Sequence, residues 1–209
     1  VKVAPGWDHE IIAALVRKMI DKQLITMNVD DECLSLSSPL NDLGNWIKEP
    51  DLCWVPTTAS CKPTCVIEIG TSESASYLSA HAHGWLEARQ SPVQAVITIS
   101  FKYLSAETDD NPITISVWRP EHRLTSTRND LCPASRTACI DIWNMAGSLS
   151  VSGFYVDVDT QVQVSTDEIR LPLEVFIGRH AVKPGEHDVV ITKDMLVRLL
   201  QKLWEYRRQ

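Results

Sequence analysis

The sequence predicts a mixed α/β (α+β) domain, with a central sheet, helices on its faces, an antiparallel β extension in the second half and a helix at the C-terminal end. Three observations predict it. Apolar residues recur with helical period in three separated stretches, and β-branched residues alternate or cluster in most segments between them. No repeat, low-complexity tract or linker divides the 209 residues. A chain of this length with 44% apolar residues fills one core rather than several. Residues 1–209 are therefore read as one domain, with a core over about 7–104 and the extension and last helix over about 105–209.

From Asp8 to about Leu24, the residues Ile11, Ile12, Leu15, Val16, Met19 and Ile20 fall on one helical face, and Asp8 is placed to cap the free N–H groups. ITMNV (25–29) and CLSLS (33–37) flank Asp30, Asp31 and Glu32 and read as two short strands joined by an acidic turn. Pro39 to Gly44 is expected as loop, Asp51 to Val55 as a short extended piece, and Thr64 to Ile69 as a strand ended by Gly70. Ala75, Leu78, Ala82, Trp85 and Leu86 predict a second helix over Ser74 to Arg89, after which Val93 to Tyr103 alternates as a strand.

Asp109 to Pro112 looks like a turn into a strand over Ile113 to Trp118, with Ile113, Ile115 and Val117 on one face. Arg119 to Arg136, of mixed charge with two Pro, reads as an exposed loop or insertion. Further β segments are expected at Ala138 to Trp143, Ser148 to Val158 and Leu171 to Ile177, the last interrupted by Pro172. Thr192 then caps a helix carrying Met195, Leu196, Leu199, Leu200, Leu203 and Trp204, with basic residues at its C-terminal end to match the macrodipole.

Composition narrows the function classes. Lys plus Arg is 20 and Asp plus Glu is 27, a net charge of −7. That balance opposes nucleic-acid binding through bulk charge, so any contact with DNA or RNA phosphate must be local. The aliphatic run Ile11 to Val16 lies between Glu10 and Arg17 and is far short of a membrane span, so no membrane partner is expected. Six Cys are too sparse for a disulfide scaffold and no secretion-signal pattern opens the chain, which points to an intracellular compartment, cytoplasm or nucleus. A start on Val1 rather than Met suggests an excised segment with flanking domains.

Glu68 is the most informative residue. VIEIG (66–70) places a carboxylate in the middle of an aliphatic strand, where an unpaired charge is strongly penalised. Its partner is a metal, a cation such as Arg or Lys, or a proton. Asp51, in EPD (49–51), precedes this strand by a short loop, so an adjacent strand brings its carboxylate beside Glu68. Two acids meeting there suit Mg²⁺, which binds through one or two carboxylates and keeps waters. Taken alone, Asp51 reads better as a turn residue after Pro50.

The order helix, strands, helix, strand, with EPD ahead of VIEIG, resembles the PD-(D/E)XK nuclease-like superfamily over about the first half of the chain. VIEIGTSES, LSAHAHGWLEA, VQAVITI and ITISVW together look like a diverged domain of this type found in uncharacterised fungal proteins. The resemblance implies an αβββαβ, restriction-endonuclease-like core and Mg²⁺ or Mn²⁺ bound by Asp51 and Glu68. It also implies a lysine two positions after the second acid, where this chain has Gly70. In active members that lysine orients the attacking water and stabilises developing charge. Lys62 and Lys102 are the nearest lysines considered as replacements, and neither sits at an expected position. Family members often add an acid from the first helix. Here Glu10 points away from the apolar stripe, which leaves His9 as the better additional site group, against the simpler reading of a polar residue at a helix start.

Two functions follow: a Mg-dependent nucleic-acid phosphodiesterase with a degenerate site of Asp51, Glu68 and His9, or a catalytically inactive nuclease-like scaffold for protein or nucleic-acid interaction. Other groups carry less. His81 and His83 of HAHG differ by about 200° on a helix and cannot chelate one ion. His81 borders the apolar stripe and is placed to touch a neighbouring element, whereas His83 faces solvent, and Ser72 and Glu73 fit a helix start. Cys61, Cys65, Cys132 and Cys139 are loosely spaced for a zinc site and read better as buried thiols. Trp46, Trp54, Trp118 and Trp143 lack interleaved basic residues and suit packing or a protein interface rather than base stacking. Arg119, Glu121, His122 and Arg123 cluster in the expected loop without forming a catalytic constellation. Arg198, Lys202, Arg207 and Arg208 are diluted by Asp194 and Glu205 and read as a solvated face.

Overall fold

A computed structural model describes residues 6–58, 62–71, 74–101, 113–121, 133–145 and 148–207. Helix α1 (Trp7–Thr26) is followed by a 3₁₀ turn at Asp30–Glu32 and strand β1 (Cys33–Leu36). A small hairpin of β2 (Asn41–Asp42) and β3 (Ile47–Lys48) comes next, then β4 (Leu52–Pro56), β5 (Cys65–Gly70), α2 (Ala75–Glu87) and β6 (Ala95–Ser100). The extension consists of β7 (Ile113–Pro120), β8 (Ala134–Met145), β9 (Ser148–Val156), β10 (Gln163–Thr166) and β11 (Ile169–Leu171). Short α3 (Glu174–Ile177), β12 (Val189–Ile191) and α4 (Lys193–Arg207) complete it.

Among the described residues, eight strands form one sheet in the order β1-β4-β5-β6-β7-β8-β9-β10. Every pairing is antiparallel except β5 with β6, which α2 joins as a parallel crossover. The series α1, β1, β4, β5, α2, β6 is the expected αβββαβ order, with the β2–β3 hairpin inserted and an antiparallel extension after it. The mixed α+β class is therefore present.

Strand alternation sorts the core onto two faces. Ile67 and Ile69 of β5, with Leu52 and Trp54 of β4, pack with Ile12, Val16 and Ile20 of α1 and Leu196, Leu199 and Leu203 of α4. Val66, Cys53, Val55 and Val96 pack on the other face with Ala82, Trp85 and Leu86 of α2. Ile113, Ile115 and Val117 share the α1 face, as their spacing requires. Each such fully buried aliphatic contributes about 1.5–3 kcal/mol. Glu68, two residues after Val66, points to the α2 face.

Several expectations need correction. ITMNV is not a strand: α1 runs through Ile25 and Thr26, because Ile20, Leu24 and Met27 continue its buried stripe, and Asn28 then breaks it at φ 57°. Asp8 lies inside the first turn, where it opposes the dipole; the N-cap is Gly6, without a side-chain bond. Pro39 to Gly44 is not all loop, since Asn41 and Asp42 pair with Lys48 and Ile47. Leu171 to Ile177 is only briefly β: Pro172 ends β11, and Val175, Phe176 and Ile177 form a buried helical turn that periodicity alone does not separate from a strand. Strands β10 and β12 have no counterpart among the expected elements. Thr192 does cap α4, its hydroxyl accepting from the Met195 N–H. Asp109 to Pro112 and most of the expected loop, residues 122–132, lie outside the described residues.

Candidate functional site

Glu68 is 4% exposed and both of its carboxylate oxygens are engaged. The indole N–H of Trp85, from α2, donates to Oε1 at 2.6 Å. The ammonium of Lys48, from β3, donates to Oε2 at 2.5 Å, and Nδ1 of His81 lies 3.1 Å from the same oxygen. Lys48 also contacts His81 Nδ1 directly. An ammonium has donors only, so it can bond Nδ1 only through that nitrogen's lone pair. Lys48 thus bridges a carboxylate and an imidazole. His81 and Trp85 stand four residues apart on α2, which places them on one face.

Aromatic residues close the outside of this network. Tyr77 packs against the His81 ring at 4.1 Å between centroids, and Trp46 meets it edge-on at 6.4 Å. Trp46 reaches α2 because Gly84 has no side chain: a Cβ there would lie 2.4 Å from the indole. The β2–β3 hairpin and α2 are in this way fitted to each other, and the fit sets the position of Lys48.

Asp51 is bound up separately. Its Oδ2 accepts the backbone N–H of Ile69 at 2.7 Å, and its Oδ1 lies 3.1 Å from Nε2 of His9. His9 is buried at the start of α1, and the hydrogen bond to Asp51 holds its pKa above the ordinary value despite the opposing effect of burial. A cleft of about 220 Å³ opens beside this pair, lined by His9, Glu10, Ser37, Ser38, Glu49 and Asp51. Asp51 immediately precedes β4 and Glu68 lies in the adjacent β5, and the two acids have different partners, His9 and the Ile69 amide for one, Lys48, His81 and Trp85 for the other.

The donor set does not fit a divalent cation. Mg²⁺ needs near-octahedral oxygen ligands and keeps several waters. Glu68 offers no open side, because a cation at Oε2 would have to displace an ammonium and Oε1 faces an indole N–H. Among the described residues no group of three or more His, Cys, Asp or Glu is arranged to hold a metal ion.

Sequence reasoning missed Lys48, Trp85 as a donor, and the tie of His81 to Glu68. Position 70 is glycine, and the cation at the acid comes from the hairpin instead, three residues before Asp51. Lys62 is not the source, and Lys102 lies outside the described residues. The signal that was available is the i, i+4 spacing of His81 and Trp85 beneath an acid that had to be satisfied. His83 diverges from His81 as expected, contacting Glu87 at 2.7 Å and the edge of Trp118.

The remaining groups take structural roles. Cys33, Cys53, Cys65 and Cys139 are free and buried, and burial raises all four thiol pKa values, to about 12 for Cys33 and Cys53. Thiols so disfavoured as thiolates make poor zinc ligands; Cys61 and Cys132 lie outside the described residues, as do Ser72 and Glu73. Trp54 donates to Asp21 and stacks edge-on against Phe176, and Trp118 donates to Thr98, so both pack rather than present stacking faces. Arg198, Lys202 and Glu205 are exposed on α4 as a solvated face. A second cleft of about 440 Å³ beside Arg119 is lined by Gln94, Glu174, Arg179 and His180. There Glu174 pairs with Arg119 at 3.6 Å and with His180, while Arg179 is held by Glu32 and Glu186. His122 and Arg123 lie outside the described residues.

No family model and no curated protein matches the chain. Among solved structures it is similar to a candidate nuclease belonging to DUF820 from Anabaena variabilis. The identity is 14% and the TM-score 0.39, over 58% of this chain and 68% of that one. A likeness of this size transfers no residue role. No helix among the described residues is long and apolar enough to cross a membrane.

Proposed function

We propose that this chain is a diverged nuclease-like domain that is catalytically silent and serves as an interaction scaffold, with Glu68 in structural use. The single observation that carries this reading is the engagement of both Glu68 oxygens, Oε2 by the Lys48 ammonium and Oε1 by the Trp85 indole. Glu68 then acts as an internal anchor joining the β2–β3 hairpin, the sheet and α2. The net charge of −7 favours a protein partner over nucleic acid. The free buried thiols agree with a reducing intracellular setting, cytoplasm or nucleus.

Titration calorimetry with Mg²⁺ and Mn²⁺ tests the reading on the unaltered chain, Asp51→Asn and Glu68→Gln. No saturable heat is expected for any of the three. Stoichiometric binding that both substitutions abolish would overturn it. One observation favours a second reading, a metal-dependent phosphodiesterase of DNA or RNA: a lysine ammonium does lie at the second acid, although it arrives from β3 rather than from position 70. That reading requires metal binding first, and then hydrolysis lost on Lys48→Met.

A further inference from the structure

Strand β10 is a terminal strand of the eight-stranded sheet, and its outer edge is unusually accommodating. The segment Gln161 to Thr166 reads QVQVST, with no charge, no Pro and alternating β-branched residues. Edge strands are ordinarily blunted by Lys, Pro or a bulge, and β10 has none of these. Among the described residues no strand lies beyond it.

The ladder fixes which backbone groups face outward. The Asp157 N–H donates to the Val162 carbonyl, so 157 and 162 are a hydrogen-bonded pair. By antiparallel alternation Tyr155 with Val164 and Gly153 with Thr166 are the next such pairs, and the N–H and C=O of Gln163 and Ser165 point away from β9. Beside this edge lies an apolar strip on one face of the hairpin: Tyr155, Val162 and Val164 are 41%, 57% and 37% exposed. An open ladder next to exposed apolar side chains is the arrangement that strand addition uses.

Charge selects the occupant. The turn end of the edge carries Asp157, whose carboxylate is kept ionised by bonds from Thr160, together with Asp159. The other end carries Asp167 and Glu168, the latter paired with Arg170, and Lys193 only 3.9 Å from Asp167. A second copy added antiparallel would bring Asp167 and Glu168 of one chain toward Asp157 and Asp159 of the other, four acids against two cations at each end. A peptide with basic ends meets the opposite situation.

We infer that the outer edge of β10 is a β-augmentation site for an extended peptide, with a short alternating β-branched core flanked by basic residues. The inference does not depend on whether Asp51 and Glu68 bind metal. Main-chain bonds to Gln163 and Ser165 supply the pairing, the Tyr155, Val162 and Val164 strip receives every second side chain, and the acidic turn sets the preference for lysine or arginine.

Fluorescence anisotropy tests it with two labelled synthetic probes, Lys-Lys-Val-Thr-Val-Thr-Val-Lys-Lys and the same core between glutamates. In low salt the lysine probe is expected to bind about tenfold more tightly, as two or three exposed charge pairs allow. Added salt should narrow the gap. Ser165→Pro removes an outward N–H, and Val164→Lys places a like charge on the edge; each should abolish binding, whereas Glu68→Gln should leave it unchanged. Circular dichroism and a denaturant midpoint establish that each variant is folded, and Val164→Lys decides the matter should Ser165→Pro unfold. Equal binding of both probes, no binding of either, or retention of binding in a folded Val164→Lys chain would overturn the proposal. So would concentration-dependent dimerisation in sedimentation that Val164→Lys reverses, because a second copy would then be the occupant.

Discussion

Lys48→Met is the sharpest perturbation of the Glu68 network, because it removes one charge and leaves a buried carboxylate behind. Breaking a fully buried ion pair by removing one partner costs about 3–5 kcal/mol. Here the Glu68 side chain is 5% exposed but that of Lys48 is 21% exposed, so solvent already screens part of the attraction. Glu68 also keeps the Trp85 donor, and methionine retains the apolar stem of the lysine. These terms reduce the expected loss to about 2–3 kcal/mol. For a chain of this size that lowers Tm by about 4–12 °C. Guanidinium unfolding at neutral pH of the unaltered chain, Lys48→Met, Glu68→Gln and the double variant completes a cycle. The double variant should be less damaged than the sum of the singles by about 1–2 kcal/mol, since a neutral amide at position 68 no longer strands a charge. A Lys48→Met chain within about 0.5 kcal/mol of the unaltered one, with additive singles, would refute the reasoning. Lys48 would then lie free in solution, and Oε2 would be open to a cation.

Three further outcomes are expected. The His9 pKa is raised in the fold above its ordinary 6.5, so the His9–Asp51 pair stabilises fully below about pH 6.5, and that contribution fades as pH rises through the elevated value; His9→Gln should flatten this part of a stability-versus-pH curve, and an NMR titration of His9 in the Asp51→Asn chain should move back toward 6.5. Gly84→Ala places a Cβ 2.4 Å from Trp46 and should cost about 1–3 kcal/mol, with a red-shifted tryptophan emission as that ring leaves α2. The Glu32 and Glu186 carboxyls are held below their usual range by Arg179, so this bridge stabilises above about pH 4.5 and is lost as pH falls through the lowered values; Glu186→Gln should open residues 179–187 to limited proteolysis at neutral pH without changing the far-ultraviolet spectrum.

What could be read in the sequence follows the range of the interactions involved. The stripes of α1, α2 and α4 and the alternation of β5 and β7 are local, and each appears where its period places it. Errors arose where a short apolar run had two outcomes, as with Val175, Phe176 and Ile177, or where a stripe ran on past its apparent end, as at Met27. At the site, the need of Glu68 for a partner was legible, because burial of a carboxylate in VIEIG demands one, and a cation stood among the choices. Its identity was not, because Lys48 reaches Glu68 only through a small hairpin whose Trp46 packs on Gly84, a contact between segments that carry no common pattern.

Asp51, directly before β4, bonds the backbone of the strand that carries Glu68, yet proximity does not make a metal site. A carboxylate serves a cation only with lone pairs turned toward open space, and at Glu68 that space holds Lys48, His81 and Trp85. Building a metal site there therefore takes more than placing a lysine at position 70. Lys48 must first be removed from Oε2, and the Lys48→Met cycle measures how strongly the fold resists that removal. The proposed reading expects a large coupling energy and no Mg²⁺ binding together, and finding one without the other would separate the ion pair from the catalytic silence proposed for it.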